Sequence, residues 1–186
     1  MKRAIIFDFF GVICSEVAPR WFKKHLPAHD LTELQQNVML PGDLGHKTLE
    51  DLYGELGVMT KQEPTDIAEE FQQLITINSE LVSYIETLRV DYKVGLCSNA
   101  FGSFIRPILE SNNLTKLFDV ITISSEVLLA KPDKDIYILT ATKLGVTPEK
   151  CIFIDDNATN VSASEELGMK GILFTSNESL KSSLVK

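Results

Sequence analysis

The sequence predicts an α/β fold: a five-stranded parallel sheet flanked by helices, with a small all-helical cap inserted after the first strand. Three observations carry this. Five short apolar runs show no polar–apolar alternation: "AIIF" (4–7), "VGLC" (94–97), "VITI" (120–123), "CIFI" (151–154) and "GILF" (171–174). Continuous runs of this length, rich in Ile, Val and Phe, suit strands buried on both faces. The segments between the later runs carry helical spacing, so strand and helix alternate as in βαβ units. Finally, about 90 residues separate Asp8 from Ser98, three times what a βαβ unit requires.

Taken in order, "AIIF" is read as the first core strand. A basic start and an apolar stretch superficially resemble a signal peptide, but Asp8 interrupts it and no small-residue cleavage site follows. Residues 16–78 are the inserted part, and their content is helical: "APRWFKKHL", "DLTELQQNVML" with Asp30 and Glu33 spaced like a capping box, "KTLEDLYGEL" and "EPTDIAEEFQQLI". Residues 1–15 and 79–186 then form the Rossmann-like core domain. In "SELVSYIETLR" Leu81, Ile85 and Leu88 recur at i, i+4, i+7, and in "DKDIYILTATKLG" Ile136, Leu139 and Lys143 mark the faces before Gly145 stops the helix. Pro148 suits a first helical turn after Thr147 as its cap. The tail "NESLKSSLVK" reads as a short last helix with a frayed end.

With 186 residues, 44% of them apolar, the chain has the mass for one core domain plus a modest insertion. A net charge of −8 argues against nucleic acid or an anionic membrane as partner, since both require basic surface. A small anionic substrate stays compatible, because a local cation overrides the global sign. Cys14, Cys97 and Cys151 cannot all pair, and each adjoins an apolar run; they are expected as buried thiols of a cytoplasmic protein. Whether it acts as monomer or homodimer the sequence leaves open.

Four of the five strands run directly into polar residues: Asp8, Ser98-Asn99, the "SSEVLLAKPD" segment with Lys131, and Asp155-Asp156-Asn157. In a parallel sheet all strand C-termini share one edge, where ligands bind. Residues far apart in sequence are thereby expected to converge. Each signal alone is an ordinary turn, cap or surface residue; their order, each after its own strand, is what carries information.

In that order the chain resembles the haloacid dehalogenase-like (HAD) hydrolase superfamily, over essentially its whole length. Its first motif, Asp-x-Asp-x-Thr/Val, is matched by "DFFGV" (8–12) except at the second Asp. The second is matched by Ser98 in "LCSNA", the third by Lys131 in "AKPDKDIY", the fourth by Asp155 and Asp156 in "FIDDNATNV". The insertion, residues 16–78, has the place and helical character of that family's smaller cap type, and the "GDLGHKTLEDL" and "KPDKDIYILTATKLG" segments resemble a branch of small phosphatases. The resemblance implies a Mg²⁺-dependent phosphatase of a small phosphorylated metabolite. Asp8 would be the nucleophile, forming an aspartyl-phosphate; Ser98, Asn99 and Lys131 would hold the phosphate oxygens. Asp8, the Phe10 carbonyl, Asp156 and Asp155 would hold the metal, with Asp155 alternatively orienting Lys131. Carboxylates are the hard oxygen ligands Mg²⁺ takes, and a cation is needed where an anion attacks an anion. Pro132 is expected to hold Lys131 extended, and Gly11 to let the chain turn beneath the phosphate.

Phe10 stands where the family's second Asp protonates the leaving oxygen. Such assistance is worth about 10²–10⁴ in rate. Three readings follow: a phosphatase that is slow, restricted to good leaving groups, or assisted by another group such as Glu16 or Asp43; a phospho-ligand binding protein without useful turnover; or a metal-independent 2-haloacid dehalogenase, in which an aromatic at this position is usual. The acidic pair favours the first, because clustered carboxylates demand a cation. His25 and His29 are four apart but Pro27 lies between them and a third ligand is lacking nearby, so a metal site is not expected there. Trp21, Phe22 and Leu26 are expected as packing within the cap, Phe101 as pocket wall or core, and "EPTDIAEE" as a solvated helix start.

Overall fold

In the computed structural model, which describes residues 3–184, each of the five apolar runs is a strand. β1 (Arg3–Phe7), β2 (Tyr92–Ser98), β3 (Val120–Ile123), β4 (Cys151–Asp155) and β5 (Lys170–Leu173) lie in the order β3-β2-β1-β4-β5, all parallel. The chain builds outward from β1 on one side, then crosses to begin β4 on the other. The crevice of a doubly wound sheet therefore opens between β1 and β4.

Between β1 and β2 the chain forms α1 (Ala18–His25), then α2 (Leu31–Leu34), which continues through a π-helical turn (Gln35–Met39) into α3 (Leu40–Asp43). α4 (Leu49–Thr60) and α5 (Pro64–Gln73) complete the insertion, and α6 (Ser79–Leu88) leads back to β2. The Asp30 carboxylate accepts from Thr32 N at 2.8 Å and Glu33 N at 3.1 Å and so starts α2. The reciprocal capping box belongs to α4, where Thr48 and Asp51 each satisfy the other's backbone N–H. The two strands of chain joining insertion to core run side by side: Ser15 N donates to Thr76 O, Thr76 N to the Ser15 hydroxyl, and that hydroxyl to Leu74 O.

The remaining helices are α7 (Gly102–Ser111), α8 (Ser124–Val127), α9 (Lys134–Lys143), α10 (Ala158–Glu165) and α11 (Asn177–Leu184). α6 buries Leu81 and Ile85, as the spacing requires. α9 turns Ile136, Tyr137, Thr140 and Ala141 inward and leaves Leu139 half-buried. Pro148–Lys150 is a single 3₁₀ turn, and the Thr147 side chain makes no cap bond to it. The frayed end expected after α11 falls on residues 185–186, outside the described residues.

Alternation along β1 divides the interior. Ala4 and Ile6 face α9 with Tyr137, Ala141 and Phe153, whereas Ile5 and Phe7 join the larger cluster on the other side. That larger cluster is continuous with Trp21, Phe22, Leu52, Leu56, Ile67 and Phe71 of the insertion. Insertion and sheet thus share one apolar core. Trp21, Phe22 and Leu26 are packing residues, and the acidic start of α5 is mostly exposed. Among the described residues no helix is long and apolar enough to cross a membrane.

Because the core is shared, unfolding is expected to be one cooperative event. Trp21 is the single tryptophan and is fully buried in the insertion, so its fluorescence and far-UV circular dichroism should report the same denaturant midpoint. Trp21→Ala should lower stability by about 3–5 kcal/mol; an earlier fluorescence transition would mean the insertion unfolds by itself.

Candidate active site

The register sets the site. Phe7 pairs with Leu96 on one side and Ile154 on the other, and Asp8 N donates to Ile154 O at 2.9 Å. The next residue beyond the pairing, Asp8, therefore stands level with the ends of β2 and β4, beside Asp155. Lys131, on the loop after α8, reaches into the gap. Its Nζ lies 2.8 Å from Asp8 Oδ1 and 2.6 Å from Asp155 Oδ2. All three are buried: Lys131 is 4% exposed, Asp155 0% and Asp8 7%.

Burial alone would lower the Lys131 ammonium, but the charges of Asp8 and Asp155 more than offset this and hold it above its ordinary value. Burial pushes the Asp8 carboxyl up, Lys131 draws it back, and Asp155 adds repulsion. Burial, then the Asp155 charge, raises Asp156 as well. Carboxylate oxygens of Asp8, Asp155 and Asp156 all lie within 4.8 Å of one another. One ammonium among three crowded carboxylates leaves the group short of positive charge, which is what a divalent cation supplies. The donor set fits Mg²⁺.

Side chains behind this group fix it. Asn99 Nδ2 donates to Lys131 O at 2.9 Å while Lys131 N donates to Asn99 Oδ1 at 2.8 Å, so the second and third motifs hold each other. The Lys131–Pro132 peptide is cis. Asp155 accepts from Asn157 N at 2.8 Å and from Asn160 Nδ2 at 3.2 and 3.1 Å. Asn160 was not singled out from sequence; its signal is its place in the first turn of α10, directly behind the acidic pair. Asn157 caps that helix by accepting from Thr159 N. Gly11 has φ +82°, and a Cβ there would stand 2.1 Å from Asp156 Oδ2. The glycine therefore makes room for the Asp156 carboxylate as well as the turn.

A cavity of about 630 Å³ opens over the site, lined at its floor by Asp8, Asn99, Lys131 and Asp156, with Phe10 at its side. Ser98 and Asp155 lie beneath that surface. Ser98 is fully buried and its hydroxyl has no partner among the described residues, an orphan worth about 1–3 kcal/mol. Phe101 is both wall and packing, since Gly42 sits directly against its ring. Glu16 and Asp43 also line the cavity. Burial, with the Asp156 charge, raises Glu16 to about 7. Burial raises Asp43 to about 7, and its Oδ2 accepts from the Gln35 amide at 3.3 Å. His25 is engaged elsewhere: it contacts Glu70 at 2.5 Å and stacks on Trp21.

Comparison with known proteins gives concordant results. The family profile of haloacid dehalogenase-like hydrolases matches residues 2–168. A putative phosphatase, YhcW, of Bacillus subtilis is 25% identical, covering 93% of this chain and 83% of its own. Phosphoglycolate phosphatase of Salmonella paratyphi A is 32% identical over 82 residues, 44% of this chain, and the match spans only 32% of that relative's length. A HAD family enzyme of Bacteroides thetaiotaomicron has the same fold, with a TM-score of 0.81 at 20% identity over 100% of this chain and 98% of its own.

Asp43 gives the site a pH signature. In the folded chain it keeps its proton up to about pH 7, against an ordinary value of 3.8 when unfolded. Between those values the folded state binds the extra proton, so stability from this group falls as pH rises through the window. With chelator present, Asp43→Asn should melt several degrees higher than wild type at pH 8, on the scale of about 2–4 °C per kcal/mol. The gap should close toward pH 4; a gap independent of pH would mean Asp43 is not held protonated.

Proposed function

Since the chain belongs to the haloacid dehalogenase-like hydrolase family, we propose that it hydrolyses a small phosphomonoester in a Mg²⁺-dependent reaction through an aspartyl-phosphate. Residues 16–78 act as a cap over the core formed by 1–15 and 79–186. The observation that carries this reading is the buried lysine held between Asp8 and Asp155 with Asp156 alongside. Phosphatases among the relatives, and a structural neighbour complexed with magnesium and inorganic phosphate, support it.

In this reading Asp8, Asp156 and the Phe10 carbonyl would hold Mg²⁺, with Asp155 as a further ligand or serving to orient Lys131. The ion supplies charge neutralisation for the phosphate. An Asp8 oxygen attacks phosphorus, the ester P–O bond breaks, and its electron pair leaves on the alcohol oxygen. Ser98 Oγ, the Asn99 backbone N–H and Lys131 stabilise the phosphoryl oxygens, which gives the orphaned serine hydroxyl a partner. Water then cleaves the acyl phosphate and restores Asp8. Gly11 keeps the floor open beneath.

Phe10 cannot protonate the leaving oxygen. Of the two carboxyl groups raised to about 7, Glu16 hydrogen-bonds Asp156 and belongs to the acidic group. Asp43 lines the cavity from α3 of the insertion, outside the acidic group, and is the better proton carrier. Phe10 also favours a second reading, dehalogenation, which halide release from 2-haloacids with chelator would reveal. Against it stands the acidic trio, which repels a carboxylate substrate. A cytoplasmic setting suits the three free, buried thiols Cys14, Cys97 and Cys151.

Release of para-nitrophenol from its phosphate should require Mg²⁺ and be lost with chelator and in Asp8→Asn. Equal rates with and without metal would remove the cation from the mechanism; phospho-ligand stabilisation without turnover would leave a binding protein. Leaving-group dependence tests the proton carrier. Phe10→Asp should raise the rate on alkyl phosphates more than on aryl phosphates, and Asp43→Asn should lower the alkyl rate by about 10²–10⁴ with little change for aryl esters. Equal losses on both would deny Asp43 that role.

A further inference from the structure

Beyond the phosphatase reading, and resting on it, we infer that the alcohol half of the substrate is an uncharged hydrocarbon: the cavity takes phosphate monoesters of aliphatic or aromatic alcohols, not sugar phosphates or phosphorylated acids. Three observations converge. The deep walls are apolar, built by Phe10, Phe101 and Phe104 from the core side and by Leu31, Met39 and Phe71 from the insertion. Phe10 continues this surface down to the nucleophile, stacked on Phe104 with centroids 6.1 Å apart and edge-on to Phe9 at 5.0 Å. The residue that lacks an acid thus supplies an apolar contact next to the ester oxygen.

The polar lining points the same way. Among the described lining residues Lys131 is the one cation, and its ammonium is committed to Asp8 and Asp155. A second phosphate or a carboxylate on the substrate would meet Glu16, Asp43 and Asp156 with no cation free to pair it. This separates the site from an enzyme acting on phosphoglycolate, the activity named for one relative. Thr32 and Gln36 are solvent-exposed, Gln35 donates its amide to Asp43, Asn99 and Asn160 are bonded to Lys131 and Asp155, and Asn157 and Thr159 follow the acidic pair on the phosphate side, away from the apolar walls. A sugar's hydroxyls pressed against the aromatic walls would lose water without replacement.

The test uses wild-type protein with Mg²⁺ and primary alkyl esters of similar leaving-group strength, so that acid catalysis does not confound chain polarity. From ethyl to hexyl phosphate, kcat/KM should rise about three- to fourfold per methylene buried. Glycerol 3-phosphate should fall below propyl phosphate, and Met39→Gln should flatten the series. In parallel, hexylphosphonate, which carries no cleavable ester, should bind several hundredfold tighter (about 240- to 1,000-fold at the same factor per methylene) than methylphosphonate by calorimetry. Turnover and binding independent of chain length, or preference for glycerol 3-phosphate, overturns the inference. If no ester, para-nitrophenyl phosphate included, releases phosphate while phosphonate binding still climbs with length, the hydrolase reading fails and the apolar site stands. Absence of both overturns both.

Discussion

A lysine ammonium buried between two carboxylates is the constraint on which this structure turns. Lys131 is almost wholly removed from water with Asp8 at 2.8 Å and Asp155 at 2.6 Å. Buried charges are tolerable only when paired and hydrogen-bonded, and removing one partner strands the others. Everything near the sheet edge serves that requirement. Asn99 clamps the lysine backbone from the end of β2, Asn157 and Asn160 satisfy Asp155 from the start of α10, and Gly11 surrenders its side chain to the Asp156 carboxylate. These are restraints on loops, and they turn four loose strand ends into one rigid constellation.

The sheet topology makes the constellation possible. β1 lies between β2 and β4, so its last residue meets both neighbours' ends in one layer, at the point where the strand order reverses. Shared packing then ties the helical insertion to the same layer. Phe101, which follows the β2 end, is pressed by Gly42, whose neighbour is Asp43. A carboxyl from the insertion is therefore carried to the buried wall of a cavity shared with the core, and its burial costs stability as it ionises. A group held near pH 7 at that expense is the kind of compromise found where proton transfer is needed.

Phe10 gives the site its individual character. An aromatic ring two residues after Asp8 removes a proton donor and adds apolar surface at the same stroke. Both consequences favour an uncharged alcohol half over one bearing hydroxyls or acids, since discrimination against polar ligands is strongest where their groups are left unpaired. An apolar wall and a missing carboxyl are thus two effects of one departure from the family's pattern.

Most of the architecture is readable in the chain. Unbroken apolar runs such as "AIIF" and "CIFI" can only be buried on both faces, and polar residues at their ends must then share an edge. Asp8, Ser98 and the acidic pair were visible because each adjoins its own strand, and Lys131 because it stands in the polar segment that follows β3. What stayed hidden depends on partners distant in sequence. Asn99 and Lys131 meet across 32 positions, Gly11 makes room for a carboxylate from the far end of the chain, and Asp43 owes its raised protonation to walls assembled from both insertion and core. The cis bond before Pro132 and the choice of Ile136, Tyr137, Thr140 and Ala141 as the inward face of α9 were likewise not legible, because a proline admits both isomers and a short helix presents several plausible faces. Local pattern determines which segments are strands and which residues stand at their ends; distances, burial and proton affinity arise only when those ends are brought together, since they belong to the space between residues and not to any one of them.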